Sequence, residues 1–316
     1  MLLAALVFPS ASVAQRSQRV YRIGFVSPTA PGPRNDAFLQ GLRDLGYVPG
    51  HNIFVEQRFA GGQPERLQVL IEEIVRLNID VLVVGSTIGA AAAKRVTTTI
   101  PVVFAGSSDP VAGGIVKNLA RPEGNVTGLS LAYGDGFAGK WLELLKDAVP
   151  NVSRLAVLWS SSNPAARGFV KELEAAAQSS GVTLDLHLAR NLPELDEALA
   201  AITSGSAGGL IVTPSPFAAT HQSKLTQFAA SRRMPAMYFV DDFVEAGGLM
   251  SYGPSITETY RRSATYVDKI LKGAKPGDLP VEQATRFHLT INLKTAQALG
   301  LKIPQSLRLR ADRIVE

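Results

Sequence analysis

Ile100–Gly114 (IPVVFAGSSDPVAGG) and Met234–Gly248 (MPAMYFVDDFVEAGG), 134 residues further on, are two versions of one pattern. In each a proline opens a run of β-forming apolar residues. An Asp follows, and a Gly-Gly pair closes the next short helix. The match extends upstream in the same order. Val81–Gly85 (VLVVG) is mirrored by Gly209–Thr213 (GLIVT), and Tyr21–Ser27 (YRIGFVS) by Arg154–Ser160 (RLAVLWS). Blocks repeating in the same order predict two similar lobes.

Strands are expected at Tyr21–Ser27, Ile53–Arg58, Val81–Gly85 and Val102–Ala105, and again at Arg154–Ser160, Leu184–Leu188 and Gly209–Thr213. They are apolar at consecutive positions, the mark of strands covered on both faces in a parallel sheet. Between them Leu67, Leu70, Ile71 and Ile74 follow the i, i+3, i+4, i+7 rule for a helix with one buried face. Asn163–Gly181 and Leu195–Ile202 supply helices to the second copy. The tail carries a helix over Ile256–Leu271 and a strand over Phe287–Leu293, and it belongs to neither repeat. The chain is therefore expected to cross between lobes more than twice, near Gly124–Ser130, Met250–Pro254 and Gly277–Gln283. The first lobe takes residues 20–125 and 254–280, the second 126–253 and 281–316. The fold class is α/β, two Rossmann-like lobes with parallel sheets and a hinge.

At 316 residues, 46% hydrophobic and 19% charged, the chain can bury full cores. No apolar run reaches the roughly 18 residues of a membrane-spanning helix, so no membrane insertion is expected. With no cysteine, disulfides, thiolate metal sites and cysteine nucleophiles are excluded. The net charge of +5 is spread over helix faces, with no aromatic-interleaved basic stretch, and no nucleic-acid partner is expected. Residues 1–14 read as a signal peptide, with an apolar run Leu2–Phe8 and small residues Ser12-Val13-Ala14 before cleavage. No phosphate-binding glycine motif and no G-x-S-x-G elbow occurs. His51, His187, His221 and His288 lack metal-ligand spacing. No catalytic residue, metal or cofactor is assigned. Asn125-Val-Thr127 matches a glycosylation sequon without further support.

In open parallel sheets ligands bind beyond the carboxyl ends of the strands, where helix N-termini favour anions. Those ends carry Ser27-Pro28-Thr29, Ser86-Thr87 and Ser107-Ser108-Asp109 in the first lobe. In the second they carry Ser160 to Asn163, Pro214-Ser215-Pro216-Phe217 and Asp241-Asp242. Together they offer donors for a carboxylate and acceptors for an ammonium or hydroxyl group. Each is also an ordinary helix N-cap, worth about 1 kcal/mol. Tyr133 and Tyr252 near the crossings read as hinge packing or as ligand contacts.

Arg22-Ile-Gly-Phe-Val, Gly41–Tyr47 (GLRDLGY), Ala105–Val111 (AGSSDPV), Gly124–Gly128 (GNVTG), Gly139–Leu145 (GKWLELL) and the closing Asn292-Leu-Lys-Thr-Ala, Ile303-Pro-Gln-Ser-Leu and Arg310–Glu316 resemble the ABC-transporter substrate-binding proteins of the tryptophan/tyrosine-binding type. The resemblance runs over residues 20–316. It implies the type I periplasmic-binding-protein fold with three crossovers, and a periplasmic monomer that captures a small carboxylate-bearing solute by hinge closure. It also implies delivery to an ABC permease and its ATPase. Carried over residue by residue, Ser27, Thr29, Ser86, Thr87, Ser107 and Asp109 match the first-lobe wall. Asn163, Pro214, Phe217, Asp241 and Asp242 match the second, and Tyr252 lies near a crossing. Ser160-Ser161-Ser162 and Pro214-Ser215-Pro216 provide few large aromatics to sandwich a ring, leaving smaller or more polar acids open beside an indole. A two-domain α/β enzyme and the ligand-sensing core of a LacI-type regulator share this architecture and stand as the alternatives.

Overall fold

The computed structural model describes residues 19–134, 136–161 and 165–316. The expected signal peptide and Asn163 lie outside them. From the N-terminus, strands and helices alternate: β1 (Tyr21–Ser27), α1 (Pro33–Asp44), β2 (Ile53–Phe59), α2 (Arg66–Val75), β3 (Val81–Gly85), α3 (Ser86–Val96), β4 (Val102–Ser107) and β5 (Val126–Ser130). The chain then enters the second lobe with α4 (Phe137–Ala148), β6 (Arg154–Trp159), α5 (Ala166–Ser179), β7 (Thr183–Leu188), α6 (Leu192–Ser204) and β8 (Leu210–Val212). It continues there through α7 (Pro216–Thr220), α8 (Gln222–Ser231), β9 (Ala236–Tyr238), α9 (Asp242–Glu245) and β10 (Met250–Gly253). It returns for α10 (Ile256–Leu271) and β11 (Glu282–Gln283), and crosses again for β12 (His288–Asn292), α11 (Leu293–Ala298), α12 (Gln305–Arg310) and β13 (Arg313–Val315).

The strand orders are β11-β5-β4-β3-β1-β2 and β13-β12-β10-β9-β8-β6-β7. Under the repeat, β1 to β5 correspond to β6 to β10, and both sheets read 5-4-3-1-2 in the shared part. All pairings are parallel except β10 with β12. The two-lobed α/β fold expected from the repeat is the one observed. The lobe boundaries differ in detail. β5 closes the first sheet and β11 pairs with it, so the crossings fall after Ser130 and after Gln283 rather than at 125/126 and 280/281. The reason is burial. Val126–Ser130 is buried throughout, which belongs to a strand inside a sheet and not to a linker.

Consecutive apolar positions explain the layers. β3 and β4 are buried along their whole length, with helices on both faces. One face of the first sheet packs around Leu67, Ile71, Ile74 and Phe104, the other around Phe25, Phe38, Leu42 and Tyr260. β2 and β7, at the sheet edges, are only partly buried. The tail helix α10 joins the first lobe against α1, fixed by Arg261 on Asp44 (2.6 Å) and by the Tyr47 hydroxyl donating to Asp268 (2.9 Å). One detail of the repeat is not kept. The second copy forms the helix α9 before Gly247-Gly248, whereas Pro110–Gly114 in the first makes only turns. There Asp109 Oδ1 accepts from the N–H groups of Val111 and Ala112, an alternative to helix propagation.

Candidate functional site

The ends of β1, β3 and β4 face those of β8 and β9 across a cleft. Between them lies a small chamber. The first lobe lines it with Pro28, Arg34, Ser86, Gly106, Ser108 and Tyr260, the second with Pro214, Ser215, Pro216, Ala219 and Phe239. Leu131 and Tyr133 of the first crossover and Ile256 at the start of α10 close the hinge side.

Arg34 is the chamber's strongest electrostatic feature. It sits in the first turn of α1, where the helix dipole disfavours a cation. Its side chain is only 16% exposed, and among the described residues its ion pair is a loose one, 3.6 Å to Asp242 across the cleft. A guanidinium has five N–H donors in a planar fork suited to a carboxylate. Its charge reaches the chamber's two phenols, opposing the upward push that burial gives to Tyr133 and Tyr260. Both therefore stay neutral. The Tyr133 hydroxyl donates to the Phe239 carbonyl of the second lobe (3.1 Å).

Beside Arg34 the first turn of α3 opens on the chamber. Ser86 holds a left-handed backbone (φ 69°), a strained state for a non-glycine residue, and its Oγ accepts from Gly89 N–H (3.2 Å). Gly85 has no room for a side chain because Tyr260 and Pro28 press against it, which brings the α3 amides close to the cavity. Behind this wall Thr87 and Ser107 form a buried hydroxyl pair (2.9 Å), and Thr87 Oγ1 accepts the Ser108 N–H (3.0 Å). Thr87 and Ser107 brace the loop that carries Ser108.

The other sequence candidates fall in different places. Ser86 and Pro214 line the chamber itself. Ser27 is buried beneath it and holds Thr29, and Thr29 and Asp242 border a neighbouring hollow at the rim beside Arg34. Asp109 is committed to capping its own turn. Asp241 pairs with Arg313 within the second lobe (3.7 Å). Phe217 packs edge-on against His221 and faces the cleft mouth opposite Gly61–Glu65. Tyr252 stacks on Phe137 (5.4 Å), while its carbonyl accepts from Trp141 Nε1 (2.9 Å), a hinge-side packing role. Sequence reasoning passed over Arg34, Phe239, Ile256 and Tyr260. Arg34 left one legible sign, a cation in a first helical turn immediately after a strand end.

The lobes touch across the mouth as well as at the hinge. A Cβ built on Gly62 (φ 82°) would lie 2.6 Å from Thr220 Oγ1 of the opposite lobe. The Gly62 N–H donates to the Pro28 carbonyl (2.7 Å), which anchors that loop to the first lobe. The two lobes are thus drawn together over the chamber.

The profile of the family described as ABC transporter substrate binding protein matches residues 23–315. The chain belongs to this family. Its members are binding proteins, not enzymes. A tyrosine-binding protein of Clostridioides difficile is 25% identical over 277 residues, 88% of this chain and 78% of its own. A conserved domain protein from Vibrio cholerae is 29% identical, with TM-score 0.87 over 94% of this chain and 100% of that one. An ABC domain from Streptococcus pneumoniae in complex with L-Trp is 26% identical, with TM-score 0.86 over the same shares. Among the described residues of this substrate-binding protein no helix is long and apolar enough to cross a membrane.

Proposed function

We propose that this substrate-binding protein captures an amino acid or aromatic acid through its carboxylate in the interlobe chamber. Closure of the hinge then presents the loaded protein to an ABC permease and its ATPase. Arg34 is the observation that carries this reading: a largely buried guanidinium with, among the described residues, one loose ion-pair partner, on the wall of a mostly apolar chamber. The first-turn amides of α3, with Ser86 and Ser108, supply further donors to the same anion. Pro214, Pro216, Ala219 and Phe239 cover the apolar part of the ligand from the second lobe. The names of the tyrosine-binding and L-Trp-bound relatives support an aromatic amino acid. Export by the N-terminal signal segment and action as a free periplasmic monomer complete the proposal.

One crossover contact lies at the hinge: Tyr133 bonds the first crossover to the second lobe. Each crossing is short, so rotation concentrates at Leu131–Gly134, Pro254-Ser255 and Ala284–Phe287. The test is calorimetry of the purified protein with L-tyrosine, L-tryptophan, benzoate and 4-hydroxybenzoate, in parallel with small-angle scattering. Stoichiometric binding that Arg34→Met weakens, with compaction or loss of an open population on addition, is expected. Binding indifferent to the Arg34 substitution would refute the carboxylate assignment.

A further inference from the structure

A small side chamber adjoins the main one, sharing Ser108, Tyr133 and Pro214 with it. Among the described residues it is also lined by Ala165, Ala166, Phe169 and Thr213. Thr213 follows β8 and is 2% exposed, with its N–H donating to the Leu158 carbonyl (3.0 Å). Its Oγ1 is buried with no hydrogen-bond partner among the described residues. The other such atom, the Tyr238 hydroxyl, belongs to a ring stacked on Phe243 in the lobe core and borders neither chamber. Buried hydroxyls are almost always paired, so one without a partner calls for a physical account. Here the unpaired hydroxyl belongs to a residue that lines the side chamber adjoining the one with Arg34.

We propose that Thr213 pairs with a hydroxyl on the far end of an aromatic ligand, so that the protein prefers a ring-hydroxylated acid to the same acid without the hydroxyl. The inference rests on the carboxylate reading above. With the carboxylate at Arg34 and Ser86, a ring passing Ser108 and Tyr133 brings its outer substituent into the side chamber. A phenol and a threonine hydroxyl each donate and accept, so one hydrogen bond satisfies the buried Oγ1. A phenyl ring would offer it no hydrogen bond.

Matched pairs test this: L-tyrosine against L-phenylalanine, and 4-hydroxybenzoate against benzoate, by calorimetry on wild type, Thr213→Val and Thr213→Ser. Wild type is expected to prefer the hydroxylated member of at least one pair by about tenfold, the scale of one hydrogen bond. Thr213→Val should bring that preference within about twofold, and Thr213→Ser should retain it. Thermal melts check folding, and Thr213→Ala replaces Thr213→Val if the latter does not fold. Equal affinities in both pairs, with Arg34→Met still weakening them, would overturn this inference and leave the carboxylate reading standing. A preference that survives Thr213→Val also overturns it. Binding of neither pair would overturn both.

Discussion

The two walls of the cleft come from one repeated architecture, yet they carry different chemistry. The first-lobe wall holds Arg34, the strained Ser86, the opening turn of α3 and Ser108. The second-lobe wall holds Pro214, Pro216, Ala219 and Phe239, with Ser215 spending its hydroxyl on the α7 N-cap (3.0 Å to Ala218 N–H). Equivalent strand ends thus gave a polar, anion-ready surface on one side and a rigid apolar cover on the other. The difference suits a receptor that docks its ligand on the first lobe and closes the second over it. Contacts made only on closure then favour the closed population.

The sharpest way to break this asymmetry is Arg34→Met. Removing the cation from the polar wall should weaken carboxylate binding about 100-fold, the scale of a truncated buried charge pair. An Arg34→Lys variant should recover part of that loss. Wild-type affinity for Arg34→Met would move recognition off the first lobe.

Gly62→Ala tests the closing surface. Its Cβ would meet Thr220 across the mouth, so binding should weaken about tenfold, with scattering showing a more open liganded form. Adding Thr220→Ala should restore part of the affinity if the clash between lobes is the cause. No recovery would put the effect in the strained backbone at Gly62 instead.

Ser215→Ala probes the cover. It should cost about 1 kcal/mol of stability from the lost cap while changing affinity less than about threefold. A larger affinity loss than stability loss would make Ser215 a ligand contact and erase part of the contrast between walls.

The smallest effect is expected at Asp242→Asn. Burial at the lobe boundary pushes the Asp242 carboxyl above its usual range, with Arg34 pulling it back only in part. A carboxyl raised in the folded protein favours structure at acid pH and loses that contribution as pH rises through the raised value. Asp242→Asn should therefore match wild type in acid melts and equal or slightly exceed its melting temperature at neutral pH. Affinity should change less than about threefold, as for a half-exposed ion pair. Strong loss of binding would instead make Asp242 the ammonium partner that its strand-end position suggested.

Much of the fold was legible because it is repetitive and periodic. The α10 limits Ile256–Leu271, the strands β1 and β3 and the doubling of the lobe follow from apolar runs and helical spacing that survive without tertiary context. β5 was not legible as a first-lobe strand. Its Gly128 and Ser130 resemble linker residues, and only the sheet it completes shows that they are buried. At the site, strand ends pointed to Ser86 and Pro214, but the same rule named Asp109, whose carboxylate is committed to its own turn.

By itself the sequence determined the architecture: two α/β lobes and the end of each sheet where a ligand would sit. Local propensity and periodic burial act over neighbouring residues, so a single chain reveals them. Only the tertiary structure decided which hydroxyls were spent on helix caps, which cation faced the cavity and which hydroxyl was left unpaired. Those outcomes depend on partners far apart in sequence, such as Arg34 with Asp242, Tyr133 with Phe239 and Thr87 with Ser107. Long-range contacts of this kind leave no mark on residue spacing, and they set the chemistry of the cleft.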